Sequence, residues 1–452
     1  MTTWTDYLQR NRDRHLEQLK ELLRIPSVSS SSAHREDMAA AARWVAEALR
    51  RAGLEHVRVM ETGGHPVVYG DWLHAPGKPT ALVYGHYDVQ PPEPMDRWET
   101  PPFEPAIRDG KIYARGATDD KAQFFLHIRA VEALLAADGG LPVNLKFCIE
   151  GEEEIASPHL PAFLERNREL LAADLVVLSD GPMLGRDTPS ICVGLRGLCG
   201  FELTVRGPAA DLHSGLYGGG VANPIAALAE LLASMRHPDG RIAVDGFYEG
   251  VGDLKKEDRE RFRQIPFDEE AVRRELGVPE LHGEVGFSYL ERTTARPTLE
   301  INGIGGGHQG EGTKTIIPSF AFAKITCRLV DRQDPDDILD KIEAHIRKHR
   351  PPGVTVTMKR TDRGRPFVIS PDHPFVRAAS RAYERGFGKT PLFVRSGGSV
   401  PIVETFSRVL DAPVVMMDFG LPGENLHAPN EHFHLDQFDR GTATICHFWQ
   451  QF

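Results

Sequence analysis

Cysteine is scarce in this 452-residue chain: there are five (Cys148, Cys192, Cys199, Cys327 and Cys446), an odd number, and none forms a Cys-x-x-Cys pair. That argues against a disulfide framework or a thiolate zinc knuckle, and most of them sit inside apolar runs, so they read as reduced core residues of a cytosolic protein. Long apolar runs are missing as well. No stretch approaches the ~20 consecutive apolar residues that a membrane span requires, and the first residues are polar and charged, without the apolar segment of a secretory signal. Basic residues are outnumbered, 53 Lys and Arg against 64 Asp and Glu, for a formal net charge of -11. Such a balance does not supply the basic surface that nucleic acids and anionic membranes require, so neither is an expected partner. Tandem repeats and low-complexity tracts do not stand out. What remains is an ordinary globular composition, 41% hydrophobic and 26% charged, long enough for two or three domains and expected in the cytoplasm.

Against that background, several apolar runs end in residues that carry chemistry. Ala81 to Val89 reads as a buried parallel strand closing in His86-x-Asp88. In open α/β sheets ligands gather at the carboxyl ends of strands, which makes His86 a candidate metal ligand and Asp88 a candidate partner for its imidazole. Alone, such a pair is usually a loop ion pair. The strand 143–149 runs into Glu150-Gly-Glu152-Glu153-Glu154, four carboxylates in five residues. A solvated acidic loop is the simpler account of that cluster, but it does not explain its place directly after a strand. The strand 174–178 ends at Ser179-Asp180, and the run 413–419 leads to His427. Asp119 and Asp120 open a predicted helix over 123–137, where N-capping is the plainer role for either. Taken together, His86, Asp119, the Glu153/Glu154 pair, Asp180 and His427 form a mixed set of imidazoles and carboxylates of the kind that holds zinc-type ions.

Spacing predicts helices over 5–24, 35–52 and 374–387 and strands over 55–60 and 65–72 around this core. Between about residues 194 and 363 the texture changes. A half-buried strand at 200–206, a helix at 223–235, a charged helical tract at 254–276, a strand at 320–330, a helix at 334–349 and a strand at 354–359 suggest an inserted α+β domain of ferredoxin-like kind. The reading is therefore an α/β protein: a mainly parallel mixed-sheet catalytic domain with helices on both faces, formed by 1–193 and 364–452, with 194–363 threaded through it. Some motifs carry nothing. Gly305 to Gly310 fits a dinucleotide glycine pattern but leads into strand-like residues, and Gly307 to Thr315 reads Gly-Thr-Lys-Thr where a phosphate loop needs Gly-Lys-Thr. His345 and His349 lack the intervening Glu of a zincin helix.

Tyr84-Gly-His86-Tyr-Asp88-Val-Gln90, Arg115-Gly-Ala-Thr-Asp119-Asp120-Lys121, Glu150-Gly-Glu-Glu153-Glu154, Ser179-Asp180, Asp211-Leu-His213-Ser-Gly215 and Asn425-Leu-His427 occur in this order. The ordered set resembles the dinuclear-zinc aminoacylase and carnosine-dipeptidase family of peptidases over nearly the whole chain, most of all its cytosolic nonspecific dipeptidase branch. Ala122 stands where that branch usually has Gly, and Ile155-Ala156 replaces its Ser-Gly; neither position is a ligand. The resemblance implies two divalent ions per subunit, zinc foremost and manganese or cobalt as alternatives. It gives His86 and Asp180 to one ion, Glu154 and His427 to the other, and Asp119 as the bridge, across a cis bond to Asp120. Glu153 becomes the general base and Asp88 the partner of His86. The inserted domain resembles the family's lid and dimerisation domain, with His213 reaching the partner subunit's site and Arg328, Thr313 and Ser399 as substrate contacts. By itself Arg328 reads as an outward strand residue with an ion-pair partner. The implied reaction is metal-dependent hydrolysis of dipeptides or similar small substrates with a free carboxylate. An N-acyl amino acid deacylase or carboxypeptidase is the same-chemistry alternative, and a non-catalytic metal-binding relative is the alternative of another class.

Overall fold

The runs ending at His86, Glu150 and Leu178 lack the in-and-out alternation of a half-solvated sheet: from Ala81 to His86 and from Leu145 to Glu150 every residue is buried. Strands covered on both faces belong in the interior of a parallel sheet. The computed structural model, which describes residues 3–452, places them there. The sheet has six strands in the order Glu55–Met60, Val67–Trp72, Asn144–Glu150, Thr80–His86, Leu175–Leu178 and Val414–Met416. The last four are mutually parallel, and the first two are added by antiparallel pairing. Register sets His86 opposite Glu150 and Tyr84 opposite Leu178, so the carboxyl ends of neighbouring strands come level.

Two compact units divide the chain. The first comprises the chain up to Val193 with Ile369–Val394 and Thr405–Phe452; the second is Gly194–Val368 with Arg395–Glu404. Sequence texture ended the insertion at 363 and left 395–404 with the returning α/β part. Those ten residues group with the second unit because Arg196 holds their glycine-rich loop: its Nε donates to Gly397 O (3.0 Å), and Ser399 Oγ donates to Arg196 O (2.6 Å).

In the first unit the helix Lys121–Asp138 is buried nearly all round as far as Leu134, not on one face as its spacing suggested. It packs on the strand Thr80–His86 and also on the helices Trp4–Arg10, Arg12–Leu23 and Leu435–Trp449. Its polar residues are consequently bonded, since an unpaired polar group in such surroundings is costly. Lys121 Nζ donates to Ile25 O (2.7 Å) and Leu22 O (3.2 Å), and Arg129 Nη1 donates to Phe438 O (2.8 Å) and Thr442 Oγ1 (2.9 Å). The single helix expected over 5–24 is two, parted at Asn11, whose Nδ2 donates to Tyr7 O (2.9 Å) and competes with the backbone for that carbonyl. All five cysteines are buried, and none is in a disulfide.

The second unit is built on a four-stranded antiparallel sheet in the order Thr298–Gly306, Phe320–Leu329, Gly197–Arg206, Thr355–Gly364. The helices Pro224–Ser234 and Pro335–His349 share its core. In chain order this is strand, helix, strand, strand, helix, strand, the ferredoxin-like sequence of elements. The strand Thr298–Gly306 escaped the sequence reading because it is glycine-rich and carries a register shift between Ile301 and Gly303, as edge strands often do. Phe320–Leu329 alternates strictly: Ala321, Ala323, Ile325, Cys327 and Leu329 face the core, leaving Phe320, Phe322 and Arg328 on the other side. The charged tract forms two short helices, Lys256–Gln264 and Glu269–Leu276.

Candidate metal centre

Level strand ends in the first unit bring together side chains from five separate stretches of sequence. His86 Nε2 lies 3.1 Å from Asp119 Oδ1 and 3.6 Å from Asp180 Oδ1. His427 Nε2 lies 2.8 Å from Asp119 Oδ2 and 3.4 Å from Glu154 Oε2. Two clusters result, His86/Asp119/Asp180 and Asp119/Glu154/His427, in each of which the candidate ligand atoms lie within 4.8 Å of one another. Asp119 belongs to both, one carboxylate oxygen to each. The Asp119–Asp120 peptide bond is cis, and His427 sits at φ +58°, a conformation that non-glycine residues adopt sparingly and mostly at functional sites.

The chemistry of the donor set suits a pair of cations. His86 is wholly buried; its Nδ1 is 3.1 Å from the backbone carbonyl of Asp88, and its Nε2 meets no hydrogen-bonding geometry. With the Nδ1 proton on that carbonyl, Nε2 turns a bare lone pair toward two carboxylates, an arrangement of acceptors alone that only a positive charge reconciles. Without an ion, protons take that role. Burial opposes a charged His86 ring, but Asp180, Asp119 and Asp88 outweigh it and hold its pKa well above the usual value. His427 is raised to about 9, chiefly by its bond to Asp119. Burial raises Asp180 to about 6 and Glu154 to about 8, with neighbouring carboxylates adding to the effect.

The acidic run sorts itself by partner. Glu150 accepts from Tyr84 OH (2.7 Å) and Ser157 Oγ (2.8 Å). Glu152 accepts from His65 N (3.0 Å) and pairs with His159 Nδ1 (2.8 Å). Glu154 is oriented by Gln90, whose backbone N–H and side-chain amide reach its two oxygens at 3.1 and 2.8 Å. Glu153 differs: among the described residues its carboxylate accepts no hydrogen bond, and burial together with Asp180, Asp119 and Asp88 pushes it up to about 7. A largely buried carboxyl group with no hydrogen bond of its own among the described residues, beside two clusters of candidate metal ligands, is equipped to take and return a proton.

The family model of peptidase family M20/M25/M40 matches residues 82–451. The chain belongs to that family. As an M20/M25/M40 peptidase it is a metal-dependent hydrolase, which removes the non-catalytic alternative. It is 31% identical to the Cys-Gly metallodipeptidase dug1 of Schizosaccharomyces pombe, over 98% of this chain and 96% of the relative. It is 30% identical to the Beta-Ala-His dipeptidase of Homo sapiens, over 98% and 91%. Among solved structures, the metallo-carboxypeptidase Sso-CP2 from Sulfolobus solfataricus superposes with a TM-score of 0.81 at 32% identity, covering 96% of this peptidase and 98% of that chain.

The other four sequence-predicted residues of this peptidase lie in the second unit. Arg328 and Ser399 meet, Nη1 donating to Oγ at 2.8 Å, and among the described residues no carboxylate pairs with Arg328. The ion-pair partner expected of an outward strand arginine is thus missing. His213 is exposed on the short strand Leu212–His213, its Nδ1 accepting from Gly215 N (3.0 Å), and Thr313 is exposed on the loop before Ile316–Ile317, the strand that pairs with Leu212–His213. Sequence reasoning quoted Gln90 inside its motif without giving it a task, and it overlooked Glu424 and Glu431, which flank His427. The signal available was proximity: each lies within four residues of a candidate ligand.

Proposed function

We propose that this peptidase hydrolyses dipeptides with a free C-terminal carboxylate, using Glu153 as its general base. The observation that carries the proposal is that, of the four acids in the run, Glu153 alone has an uncommitted carboxylate. His86 and Asp180 hold one divalent ion, Glu154 and His427 a second, and Asp119 both. Bound there, zinc (or manganese or cobalt) supplies Lewis-acid polarisation of a carbonyl and acidifies water toward neutrality. Three carboxylates offset most of the ionic charge, and neutral imidazoles complete the set without adding repulsion. Glu153 removes the proton from water and delivers it to the departing amine. Asp88 holds the turn that carries Glu153. Arg328, with Ser399 and Thr313, receives the substrate carboxylate by charge-assisted hydrogen bonds.

The same reading places the enzyme in the cytoplasm, in keeping with five cysteines outside any disulfide, and makes it a homodimer through the second unit. Among the described residues no helix is long and apolar enough to cross a membrane. Phe320 and Phe322 stand exposed on the open face of the second unit's sheet, a surface that a second copy would cover. His213 then serves the partner's site.

Replacing Glu153 by Gln keeps the shape and removes the base. Turnover should be lost while both ions stay; Glu154→Gln should instead weaken one of them. Equal loss of metal in the two variants would refute the assignment of base and ligand. The likeness to a metallo-carboxypeptidase favours carboxypeptidase action as the second reading. A dipeptide, its N-acetylated form and a longer peptide assayed side by side separate dipeptidase, deacylase and carboxypeptidase.

A further inference from the structure

The turn that carries Asp119 and the loop that carries His427 are 308 residues apart in sequence, yet their side chains meet at 2.8 Å. Neither the sheet nor the two ligands themselves fix that meeting. Glu431, four residues beyond His427 and fully buried, does more. Its Oε2 accepts from Arg115 Nη1 (2.8 Å) and Gly116 N (2.8 Å), and its Oε1 accepts from Thr118 N (2.9 Å) and from Asp119 N itself (3.2 Å). Within the same turn Ala117 N donates to Ala114 O (3.2 Å), so every backbone N–H from Gly116 to Asp119 is committed. Glu424, three residues before His427 and likewise buried, accepts from Thr118 Oγ1 (2.8 Å). Gln123 Nε2 donates to Thr118 O (2.8 Å) while its Oε1 accepts from Phe419 N (2.8 Å).

Satisfying buried donors would by itself account for a carboxylate here. Its location adds a second consequence. Asp119 must direct one oxygen toward His86 and the other toward His427, and a small rotation of its backbone would take one oxygen out of reach. A carboxylate anchored on the His427 loop and bonded to the Asp119 N–H fixes that orientation. We infer that Glu431 is the positioning residue of the metal centre, locking the Asp119 turn to the His427 loop so that one carboxylate serves both clusters. The inference rests on the ligand set proposed above.

A glutamine at 431 cannot replace the carboxylate. Its amide has one acceptor oxygen, and whichever way it turns its NH2 group faces two donors, either Arg115 and Gly116 or Thr118 and Asp119. The test is titration of the full-length, metal-stripped protein with Co²⁺, read by the visible absorption of the bound ion, alongside thermal melting of the metal-free form and the kcat and KM of a dipeptide after loading. For Glu431→Gln we expect metal affinity to fall about 10–100-fold, the usual cost of losing a partner that orients a ligand, together with an altered Co²⁺ spectrum and a fall in kcat at nearly constant KM. Arg115→Lys, which keeps the charge and loses the planar fork, should show the same changes more mildly. A lower melting temperature with unchanged affinity and spectrum would mean a purely structural role and overturn the inference. Should Glu431→Gln not fold, Arg115→Lys decides alone, and wild-type affinity and spectrum in that variant reject the inference. His427→Ala distinguishes the two levels: if it leaves Co²⁺ binding intact, the ligand set is wrong; if it weakens binding while Glu431→Gln does not, only the positioning role is wrong.

Discussion

Asp88 caps the turn that carries Glu153: its Oδ1 accepts the Glu153 backbone N–H at 3.2 Å, and its Oδ2 accepts that of Glu154 at 3.1 Å. The His-x-Asp pattern suggested that this carboxylate serves His86, yet the nearer acceptor of His86 Nδ1 is the Asp88 backbone carbonyl, at 3.1 Å against 3.4 Å for Oδ1. One side chain thus registers the strand that delivers His86 against the turn that delivers Glu153 and Glu154.

Asp88→Asn should therefore disturb the turn more than the imidazole. An amide oxygen can keep one of the two N–H groups while its NH2 opposes the other. A loss of about 10–100-fold in kcat is expected, of the size seen when a ligand-orienting partner is removed. Activity within about twofold of wild type, measured with metal content verified, would show that the cap is dispensable.

Acidity acts on the metal-free protein through the same groups. Burial lifts Glu150 and Glu154 to about 8, Glu153 and Asp418 to about 7 and Asp180 to about 6, whereas unfolded carboxyls titrate near about 4. A carboxyl whose folded pKa is raised keeps its proton where the unfolded chain has lost it, so the folded state binds more protons and stability falls as pH rises. His427, raised to about 9, acts in the same direction once pH passes the ordinary histidine value. The chelator-treated protein should melt at progressively lower temperature from about pH 5 to pH 8, and added divalent metal should restore more at pH 8 than at pH 5 because it binds the deprotonated ligands. A flat or rising melting temperature over that interval contradicts the burial described for these acids.

Arg328→Met tests substrate recognition. With Ser399 as its one side-chain partner, the guanidinium has donors to spare for a carboxylate. For a dipeptide with a free C-terminus, kcat/KM should fall about 10–100-fold, the scale of one charge-assisted hydrogen bond, while the corresponding dipeptide amide should be affected little. Equal losses on both substrates would assign Arg328 to the integrity of the second unit.

Dimer complementation tests His213. Inactive His213→Ala and inactive Glu153→Gln subunits, mixed in equal amounts under verified exchange, form about half hybrids by random pairing. If His213 serves its neighbour, each hybrid has one intact site and activity recovers toward about a quarter of wild type. No recovery would place His213 in its own subunit's chemistry or outside the reaction.

Sequence alone determined the parts of this enzyme that depend on local pattern. Buried strands show as unbroken apolar runs, strand ends are where chemistry collects, and His86, Asp119, Glu154, Asp180 and His427 could be named from those two facts and an ordered set of motifs. What only the tertiary structure decided depends on partners that no spacing reveals. Four acids of one run look alike until Tyr84, His65 and Gln90, between 64 and 87 residues away, bind three of them and leave Glu153 free. Glu431 is an anonymous carboxylate until the chain returns over 312 residues to offer it the N–H of Asp119. The edge strand Thr298–Gly306 was hidden by its glycines, and 395–404 joins the second unit through hydrogen bonds to Arg196. Hydrogen bonds act over about 3 Å of space and are indifferent to distance along the chain, so the candidate ligands were legible and their orientation was not.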